Sequence, residues 1–391
     1  MTSNSLKKPE KSLPFHWYYD SKVFQKEIDK IFNDEWIYVC HINSIEKNHY
    51  RTLDINNKNI VLVKSNSENI SVFYNTCLHR GSQIFEDLEG KMKSPVIVCP
   101  YHQWSYDAIS GSLINTTSIK LNNFDKKNYN LQKVNFHIWK GLVFINLKSN
   151  KKFKIQSIFQ YYDKTVEKID LENYAVGHIW KKKVQCNWKI YWENYSECLH
   201  CPNIHPELSE LVPLYQRRLV DIQDHPEWEI LKKTKSHTKY HGGLKNGAQT
   251  WSSDGTSQGH TIEEVQSELE SRGQVYISTW PTMFLGIYGD HIRIVRLIPI
   301  NSEEVELTAE WLFPESTLAD RDYKMSNVVD FGILVMNQDA RISEVNQRGV
   351  YNLEKSSGVL MPEEYIIKNF HKYIKNKIRN KRMAYQSYGQ W

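Results

Sequence analysis

Two short sequence motifs, CLHR and CPYH, each place a cysteine close to a histidine. The pattern is Cys77-x-His79, then nineteen residues, then Cys99-x2-His102. Each motif follows a β-rich run, which predicts a loop at the end of a strand. Thiolate and imidazole are both metal ligands, and the two loops must converge if all four side chains serve one centre. This requirement favours a small β-domain in which two loops meet.

Two kinds of metal centre use two cysteines and two histidines. One is a tetrahedral zinc site, and the other is a Rieske [2Fe–2S] centre, in which one iron takes both cysteines and the other both histidines. A zinc finger usually pairs Cys with Cys and His with His along the chain. Here each loop carries one of each, which favours two loops that clasp a two-iron cluster from opposite sides.

The whole pattern resembles the Rieske motif. Neighbouring residues agree, namely Arg80-Gly81 after the first pair and Trp104 and Tyr106 after the second. The gap between the pairs is longer than usual, so we expect a small insertion in residues 82–98. The resemblance implies that these two cysteines and two histidines bind a [2Fe–2S] cluster.

The chain around these loops divides into regions of different pattern. Residues 37–150 contain β-rich runs such as IVLVKS, ISVFYN, VIVCPY and GLVFINL, which predict an all-β domain. Residues 21–36 place Phe24, Ile28, Ile31 and Phe32 on one face of a helix, with Asp20 or Ser21 as its N-cap. The first fourteen residues are predicted to be a flexible polar arm. We expect the arm and helix, residues 1–36, to pack on the second domain.

The second domain is predicted to span residues 151–391, after a polar, basic boundary near 148–156. Its pattern predicts a helix over about 156–171, a strand ending near Cys186, and a long loop over 234–262. The runs QVYISTW, FLGIYG, HIRIVRLIPI and VELTAEWLF then predict antiparallel strands, followed by helices over about 317–348 and 362–380. The predicted fold class is therefore α+β: an all-β domain, then a helix-grip domain with an antiparallel sheet and a long C-terminal helix.

Composition excludes several classes of protein. The net charge of +5 is small for 391 residues, and the Lys and Arg residues are scattered, so we expect no nucleic-acid partner. No run approaches the ~18 apolar residues of a membrane span, so we expect no membrane contact. The N-terminal sequence lacks the apolar core of a secretory signal, which predicts a cytoplasmic protein. Six cysteines are too few for a disulfide scaffold in such a chain and are expected to be ligands or buried thiols.

The stretch ENYSECLHCPNIHPEL, residues 193–208, concentrates glutamates with two histidines and two cysteines. A zinc knuckle, a redox thiol pair and an iron site would each use part of this set. Cys198 and Cys201 could form a redox or zinc pair, but small buried thiols that pack around a helical turn are the favoured interpretation. Glu197 and His200 are three residues apart and would share a helix face, and Pro202 and Pro206 are expected to end that helix.

This stretch resembles the mononuclear iron motif of the Rieske non-haem iron oxygenases, and the resemblance covers nearly the whole chain. It implies that the protein is a terminal (alpha) component in which His200, His205 and Asp339 hold Fe(II). Two imidazoles and one carboxylate on one face leave positions open for dioxygen. Asp339 lies in NQDARISEVNQRGV, which resembles the late helix of the family, and Glu344 is its nearest rival.

The family resemblance also implies how electrons reach the iron. It makes Glu197 the bridge from His102 of one chain to His200 of the next, in a head-to-tail homotrimer, with Asn194 as a further residue of the site. The chain contains no flavin or nicotinamide motif, so we expect a separate NAD(P)H-dependent reductase with flavin and iron–sulfur groups.

Local words, including GVLMPEEY, resemble most the branch of glycine betaine, carnitine and choline monooxygenases. This implies oxidation of a small quaternary ammonium or N-methylated compound, with N-demethylation and release of formaldehyde. Aromatic faces bind such cations, and the candidates near the iron motif, in the long loop or on inner strands are Tyr195, Tyr215, Trp251, Phe284 and Tyr288. Because the chain has 12 Trp, 23 Tyr and 14 Phe, a core position is the favoured interpretation for any one of these residues.

Two alternatives stay open at this point. One is a Rieske hydroxylase of an aromatic or other small substrate. The other belongs to a different class of protein, an electron carrier that has a Rieske cluster but no oxygenase activity.

Overall fold

The computed structural model describes residues 6–65, 69–117, 124–148, 152–154, 158–159, 162–219, 243–353 and 356–379, with the side chains of 270–272 left aside. The chain forms two compact units. One is continuous, Trp36–Phe153, and the other combines Met1–Glu35 with Lys154–Trp391. None of the helices in the described ranges is long and apolar enough to cross a membrane.

The strands are numbered in chain order. They are β1 Glu10–Pro14, β2 Ile37–His41, β3 His49–Ile55, β4 Lys58–Lys64, β5 Ile70–Tyr74, β6 Glu89–Lys91, β7 Val96–Val98, β8 Ser105–Asp107, β9 Leu113–Asn115, β10 Asn135–Trp139, β11 Leu142–Asn146, β12 Ala175–Val184, β13 Val275–Thr279, β14 Met283–Ile287, β15 Ile292–Asn301, β16 Glu304–Phe313 and β17 Ser357–Leu360.

The α-helices are numbered in the same way. They are α1 Ser21–Glu27, α2 Trp188–Tyr195, α3 Cys201–Ile204, α4 Pro206–Leu211, α5 Pro213–Gln216, α6 Gln266–Arg272, α7 Glu315–Ala319, α8 Ser326–Val350 and α9 Tyr365–Ile378.

The continuous unit is built from three small antiparallel sheets, with strand orders β10-β11-β2, β5-β4-β3-β6 and β7-β8-β9. The β3–β4 hairpin shows why the sequence folds this way. Its two-residue turn is Asn56-Asn57, and both residues have positive φ, 54° and 62°. Asn tolerates this left-handed region, and such turns match the twist of the strands. The predicted all-β domain is confirmed.

The second unit has a five-stranded antiparallel sheet in the order β12-β16-β15-β14-β13. Alternate residues of β16, from Val305 to Phe313, join the same buried core as Val295 and Leu297 of β15. Helix α8 covers this face, and its buried residues recur every three to four positions, as an amphipathic helix requires. The predicted helix-grip architecture, a curved sheet with a long late helix, is therefore confirmed.

The described part of the N-terminal arm, residues 6–14, is not the flexible segment that its polar sequence predicts. In the described part, residues 10–14 form β1, which pairs antiparallel with β17. Main-chain hydrogen bonds make this pairing, so the polar side chains give no sign of it. Leu13 is its fully buried anchor.

The helix predicted over residues 21–36 begins as expected, because Asp20 caps it by accepting from the backbone N–H of Lys22 and Val23. It then widens into a π-helical turn, Ile28–Phe32, before it ends. Its buried Glu27 contacts Nζ of buried Lys189 on α2 at 2.7 Å. The N-terminal segment is thus fixed to the helix that precedes the iron motif.

Two predicted helices differ in the structure. Of the described residues in 156–171, Ile158 is helical, but 162–171 contain a 3-10 turn, Lys164–Lys168, and no α-helix. The helix predicted over 317–348 is broken between α7 and α8. In each case an aspartate binds a nearby backbone N–H: Asp163 accepts from Thr165, and Asp320 from Asp322. Such local bonds compete with helix formation.

The helix predicted over 362–380 is α9, and residue 380 lies outside the described ranges. Residues 243–262 of the predicted loop contain no helix or strand, and residues 234–242 of it also lie outside those ranges.

Candidate metal centres

The two Cys-His loops of the continuous unit have the same backbone design. The N–H of Gly81 donates to the carbonyl of Cys77 at 3.0 Å, and the N–H of Gln103 donates to the carbonyl of Cys99 at 3.0 Å. Both donors have positive φ, 80° for Gly81 and 59° for Gln103. Each loop therefore turns back four residues after its cysteine and returns its histidine toward the other loop.

The four side chains form two couples. Cys77 and Cys99 are buried and not joined in a disulfide. The Nδ1 atoms of His79 and His102 lie 3.2 Å apart near the surface. Tyr106 Oη contacts Cys77 Sγ at 3.1 Å. Separate thiol and imidazole couples fit a two-iron cluster, with one couple on each iron, better than one tetrahedral ion.

A second group of ligands lies in the other unit. Nε2 of His205 is 3.2 Å from Nε2 of His200 and 2.9 Å from Oδ1 of Asp339. Within the described residues, this is the one set of three or more His, Cys, Asp or Glu side chains gathered closely enough for a single metal ion. Two ligands about 2.1 Å from one ion and at right angles would be about 3 Å apart. Two imidazoles and a carboxylate thus fit Fe(II).

The local backbone differs from the sequence prediction. Glu197 lies in the non-helical turn after α2, so it does not share a helix face with His200. Pro202 and Pro206 occupy the first turns of α3 and α4 and do not end a helix. Proline is well suited to the first helical position because it needs no N–H acceptor there. His205, between these helices, is turned toward His200.

Each histidine is oriented by a partner at its other ring nitrogen. Nδ1 of His200 lies 2.5 Å from Oε1 of Glu197. Nδ1 of His205 lies 2.8 Å from Oε1 of Gln338, whose amide in turn donates to Glu207. These oxygens are acceptors, so each imidazole keeps a proton on Nδ1 and would give up any proton on Nε2 when that atom binds the metal.

The carboxylate ligand is held in the same way. Nδ2 of Asn194 donates to Oδ1 of Asp339 at 2.6 Å. Burial opposes ionisation of Asp339, but the hydrogen bonds from His200 and His205 outweigh it and hold the pKa of Asp339 well below its usual range. Burial likewise opposes the charge of His200, yet its bonds with Asp339 and Glu197 raise the pKa of His200 to about 9. The carboxylates of Asp339 and Glu197 thus favour a positive charge at this site, whether a proton on His200 or a metal ion.

The rival ligand Glu344 has a different contact. Its Oε1 accepts from the backbone N–H of Gln185 at 3.1 Å, and it is not part of the three-ligand group.

The expectation of free packing thiols at Cys198 and Cys201 is wrong. The two sulfurs are joined in a disulfide across the turn that carries His200. Their Cα atoms are 4.9 Å apart, within the range that a disulfide spans. Both residues are also buried, so they do pack as expected. The turn thus has a covalent closure that the Cys-x2-Cys spacing allowed but did not require.

The structure divides the five aromatic candidates into two sets. Tyr215, Trp251 and Tyr288 belong to one buried cluster, which also contains Cys198 and Cys201 on either side of His200. Tyr195 and Phe284 instead stack on each other with ring centroids 3.4 Å apart. The first set therefore lies beside the three-ligand group, and the second packs against the main core.

Sequence reasoning missed Gln338 and Arg293. Gln338 precedes Asp339, but an uncharged side chain next to a ligand carries no signal of its own. Arg293 is buried in β15 and had a visible signal, because it and Arg296 are charged residues within an otherwise apolar run.

The fold and the two centres define the class of protein. Residues 171–380 match the ring hydroxylating alpha subunit (catalytic domain), and residues 35–125 match the Rieske [2Fe-2S] domain. The chain belongs to the ring-hydroxylating alpha subunit family and is a Rieske oxygenase. Its cofactors are a Rieske [2Fe–2S] cluster and a mononuclear non-haem iron. The predicted family and cofactors are confirmed. The catalytic domain argues against the alternative of an electron carrier without oxygenase activity.

Among its relatives is the glycine betaine monooxygenase oxygenase subunit of Pseudomonas aeruginosa (strain UCBPP-PA14). It is 28% identical over 361 residues, which cover 87% of this chain and 82% of the relative. The carnitine monooxygenase oxygenase subunit of Escherichia coli (strain K12) is 32% identical over 204 residues, 51% of this chain and 54% of the relative.

Solved structures share the fold. The quaternary ammonium Rieske monooxygenase CntA superposes with a TM-score of 0.68 at 19% identity, over 94% of this chain and 96% of CntA. Naphthalene 1,2-dioxygenase from Rhodococcus sp. gives 0.67 at 16% identity, over 94% of this chain and 95% of that one.

Proposed function

We propose that the protein hydroxylates an N-methyl group of a small quaternary ammonium compound related to glycine betaine. The N-hydroxymethyl ammonium product then loses the proton of its hydroxyl group and breaks its C–N bond, releasing formaldehyde and the demethylated amine. Similarity to glycine betaine monooxygenase subunits over most of both chains supports this substrate class.

The observation that carries the proposal is the position of the aromatic cluster. A quaternary ammonium group cannot donate a hydrogen bond, so proteins bind it against aromatic faces. Trp251 lies between Tyr215 and Tyr288, with ring centroids 6.0 and 4.9 Å away. Because this cluster includes the cysteines that flank His200, its rings border the proposed iron ligands.

The four residues of the Cys-His loops are proposed to hold the cluster, and His200, His205 and Asp339 the mononuclear iron. When bound, these groups supply the electrons and the oxygen activation for C–H hydroxylation. The chain's own side chains position the ligands: Glu197 holds the Nδ1 proton of His200, and Asn194 orients the carboxylate of Asp339.

We further propose that Glu197 connects His200 to His102 of a neighbouring subunit in a homotrimer. The side chain of Glu197 keeps 13% of its surface exposed, and the His102 loop lies at the surface of its unit. Alpha subunits of this family work with a separate reductase. We propose one that is NAD(P)H-dependent, carries flavin and iron–sulfur groups, and acts with this protein in the cytoplasm.

A single-turnover assay tests the proposal without a partner reductase. The iron-loaded protein is reduced chemically, exposed to oxygen, and assayed for formaldehyde with glycine betaine, carnitine, choline, stachydrine and a methoxy-aromatic compound. We expect formaldehyde from a methylammonium compound and none from the Asp339→Ala control. Formaldehyde from the methoxy-aromatic alone would instead favour an aromatic substrate. Reoxidation of the cluster with no formaldehyde from any compound would overturn N-demethylation.

A further inference from the structure

Arg293 is a buried cation that has no carboxylate in direct contact within the described residues, and the negative charge of buried Asp339 acts on it only from a distance. It lies in β15 and is 7% exposed. Its Nη2 donates to Tyr288 Oη at 3.0 Å, and its guanidinium lies 5.5 Å from the ring centroid of Tyr288 and 6.0 Å from that of Trp251. Across the described residues, no carboxylate oxygen comes within 4.0 Å of it. A guanidinium has five N–H donors, and buried charges are normally paired.

Arg296, three residues further along the same strand, shows the usual arrangement. It is 5% exposed, so it is buried to a similar degree. Its Nη2 lies 3.4 Å from Oε1 of Glu306 and 3.0 Å from the hydroxyl of Thr308. An odd separation along a strand puts it on the opposite face of the sheet. Burial in β15 therefore does not prevent an arginine from pairing with a carboxylate. Arg293 is buried to a similar degree, but its hydrogen-bond partner is the hydroxyl of Tyr288.

Two glycines make room for the Arg293 guanidinium and for its partner Tyr288. Gly286 is its register partner on β14, and a Cβ there would lie 2.5 Å from Tyr288 Oη. A Cβ on Gly332 of α8 would lie 3.0 Å from Nη1 of Arg293. The guanidinium thus lies between the sheet and α8. Gly332 and Asp339 are two helical turns apart on one face, about 10 Å along the axis.

The charges of this region favour a ligand that carries an anion. Fe(II) with two neutral imidazoles and the Asp339 carboxylate, together with the Glu197 carboxylate against His200, gives a net charge of 0, and Arg293 raises it to +1. A substrate that is only a cation would raise this charge to +2 in a buried space. A zwitterion would bring a carboxylate that the guanidinium can bind in bidentate fashion.

We infer that Arg293 binds the carboxylate of a betaine, a substrate that has a quaternary ammonium and a carboxylate in one molecule. This inference rests on the proposed function, which it narrows from methylammonium compounds in general to zwitterionic ones. Arg293 is then a specificity-determining residue that selects against choline-like cations.

The test is a comparison of glycine betaine with its amide, which has nearly the same size but no carboxylate. Anaerobic calorimetry on the fully loaded protein measures binding without turnover. We expect the wild-type protein to bind the betaine at least ~30-fold more tightly than the amide, and Arg293→Met to reduce this preference to ~3-fold or less. Arg293→Lys, which keeps the charge but loses the planar fork, should give an intermediate value.

Arg296→Met is the matched control, because it removes a buried arginine from the same strand. It should keep the full preference for betaine over amide. An Arg293→Met protein with normal iron content and cluster spectrum that also keeps this preference would overturn the inference. So would a wild-type protein that binds the amide as tightly as the betaine, and this comparison does not depend on any variant folding.

Formaldehyde assays with the same compounds separate this inference from the proposed function. Equal release from betaine, amide and choline would overturn the role of Arg293 and support N-demethylation. No release from any of them, with the binding preference present in the wild type and lost in Arg293→Met, would overturn N-demethylation and support carboxylate binding by Arg293.

Discussion

The two metal centres differ in how far each is open to solvent. At the Cys-His loops the sulfurs are buried, but His79 is exposed and Tyr101, whose ring lies against His102, is 58% exposed. At the three-ligand group, His205 is 2% and Asp339 9% exposed. An accessible imidazole edge suits electron exchange with another protein, whereas a buried site keeps water away from a reaction.

The centres also differ in what positions their ligands. Backbone turns shape the Cys-His loops, and one hydroxyl, that of Tyr106, contacts a ligand sulfur. At the other centre a separate side chain holds each ligand: Glu197, Gln338 and Asn194. Substitutions outside the ligands should therefore disturb the mononuclear centre more than the cluster.

The largest effect is expected from a ligand itself. Asp339→Ala should lose the mononuclear iron but keep the Rieske spectrum, and turnover should fall by more than the ~100-fold that loss of an outer partner can cause. Iron per chain and the visible spectrum measure both centres. Cys77→Ser is the reciprocal control, since it should lose the cluster and keep the mononuclear iron. Retention of that iron in Asp339→Ala would contradict the assignment of Asp339 as a ligand.

Glu197→Ala should show whether filled metal centres are sufficient for electron transfer between the cluster and the mononuclear iron. With Fe(II) added to saturation, both centres should be filled and the cluster reducible, yet turnover should fall about 100-fold, because the proposed electron path through Glu197 to His200 is cut. Steady-state turnover with a reductase measures the effect. The control is Glu210→Ala, which removes an exposed acid paired with Lys245. Near-normal turnover of the Glu197 variant would rule out its role as a relay.

Gln338→Ala should weaken mononuclear iron binding by about 10- to 100-fold, because the Nδ1 partner of His205 is removed. Iron titration under anaerobic conditions measures the change, and the cluster content should be unaffected. Asn337→Ala is a suitable control, since the neighbouring Asn337 contacts Lys182 and not the ligands. Equal affinities in the two variants would show that the histidine does not depend on this amide.

Tyr106→Phe should give the smallest effect, on the cluster alone. Loss of its hydrogen bond to Cys77 should lower the reduction potential by a few tens of millivolts, since about 1 kcal/mol corresponds to roughly 40 mV for one electron. Protein-film voltammetry measures it. Tyr129→Phe, whose ring packs against Trp104 nearby, should leave the potential unchanged. A potential that stays the same in Tyr106→Phe would exclude this bond as a determinant.

The features that were predicted from sequence are those encoded locally. Ligand motifs such as Cys77-x-His79 show both the residue types and their spacing within a few positions. Strand and helix periodicity predicted the α+β architecture. The errors share a different cause. Pairing of β1 with β17, the break before α8 and the disulfide at Cys198 depend on contacts or turn geometry that periodicity does not report. The roles proposed for Arg293 and Gln338 depend on contacts with residues that are not adjacent in the sequence.

Pairing of β1 with β17 has a consequence for the synthesis of the protein. Their paired residues, Glu10 and Leu360, are about 350 positions apart, and the whole Trp36–Phe153 unit lies between them in the chain. At 5–20 residues per second the ribosome needs roughly 20 to 70 s to cover that interval. The Trp36–Phe153 unit can therefore fold before β17 has been synthesised and can pair with β1. Until then the edge of β1 has unpaired backbone groups, a state in which nascent chains are open to chaperones and to aggregation.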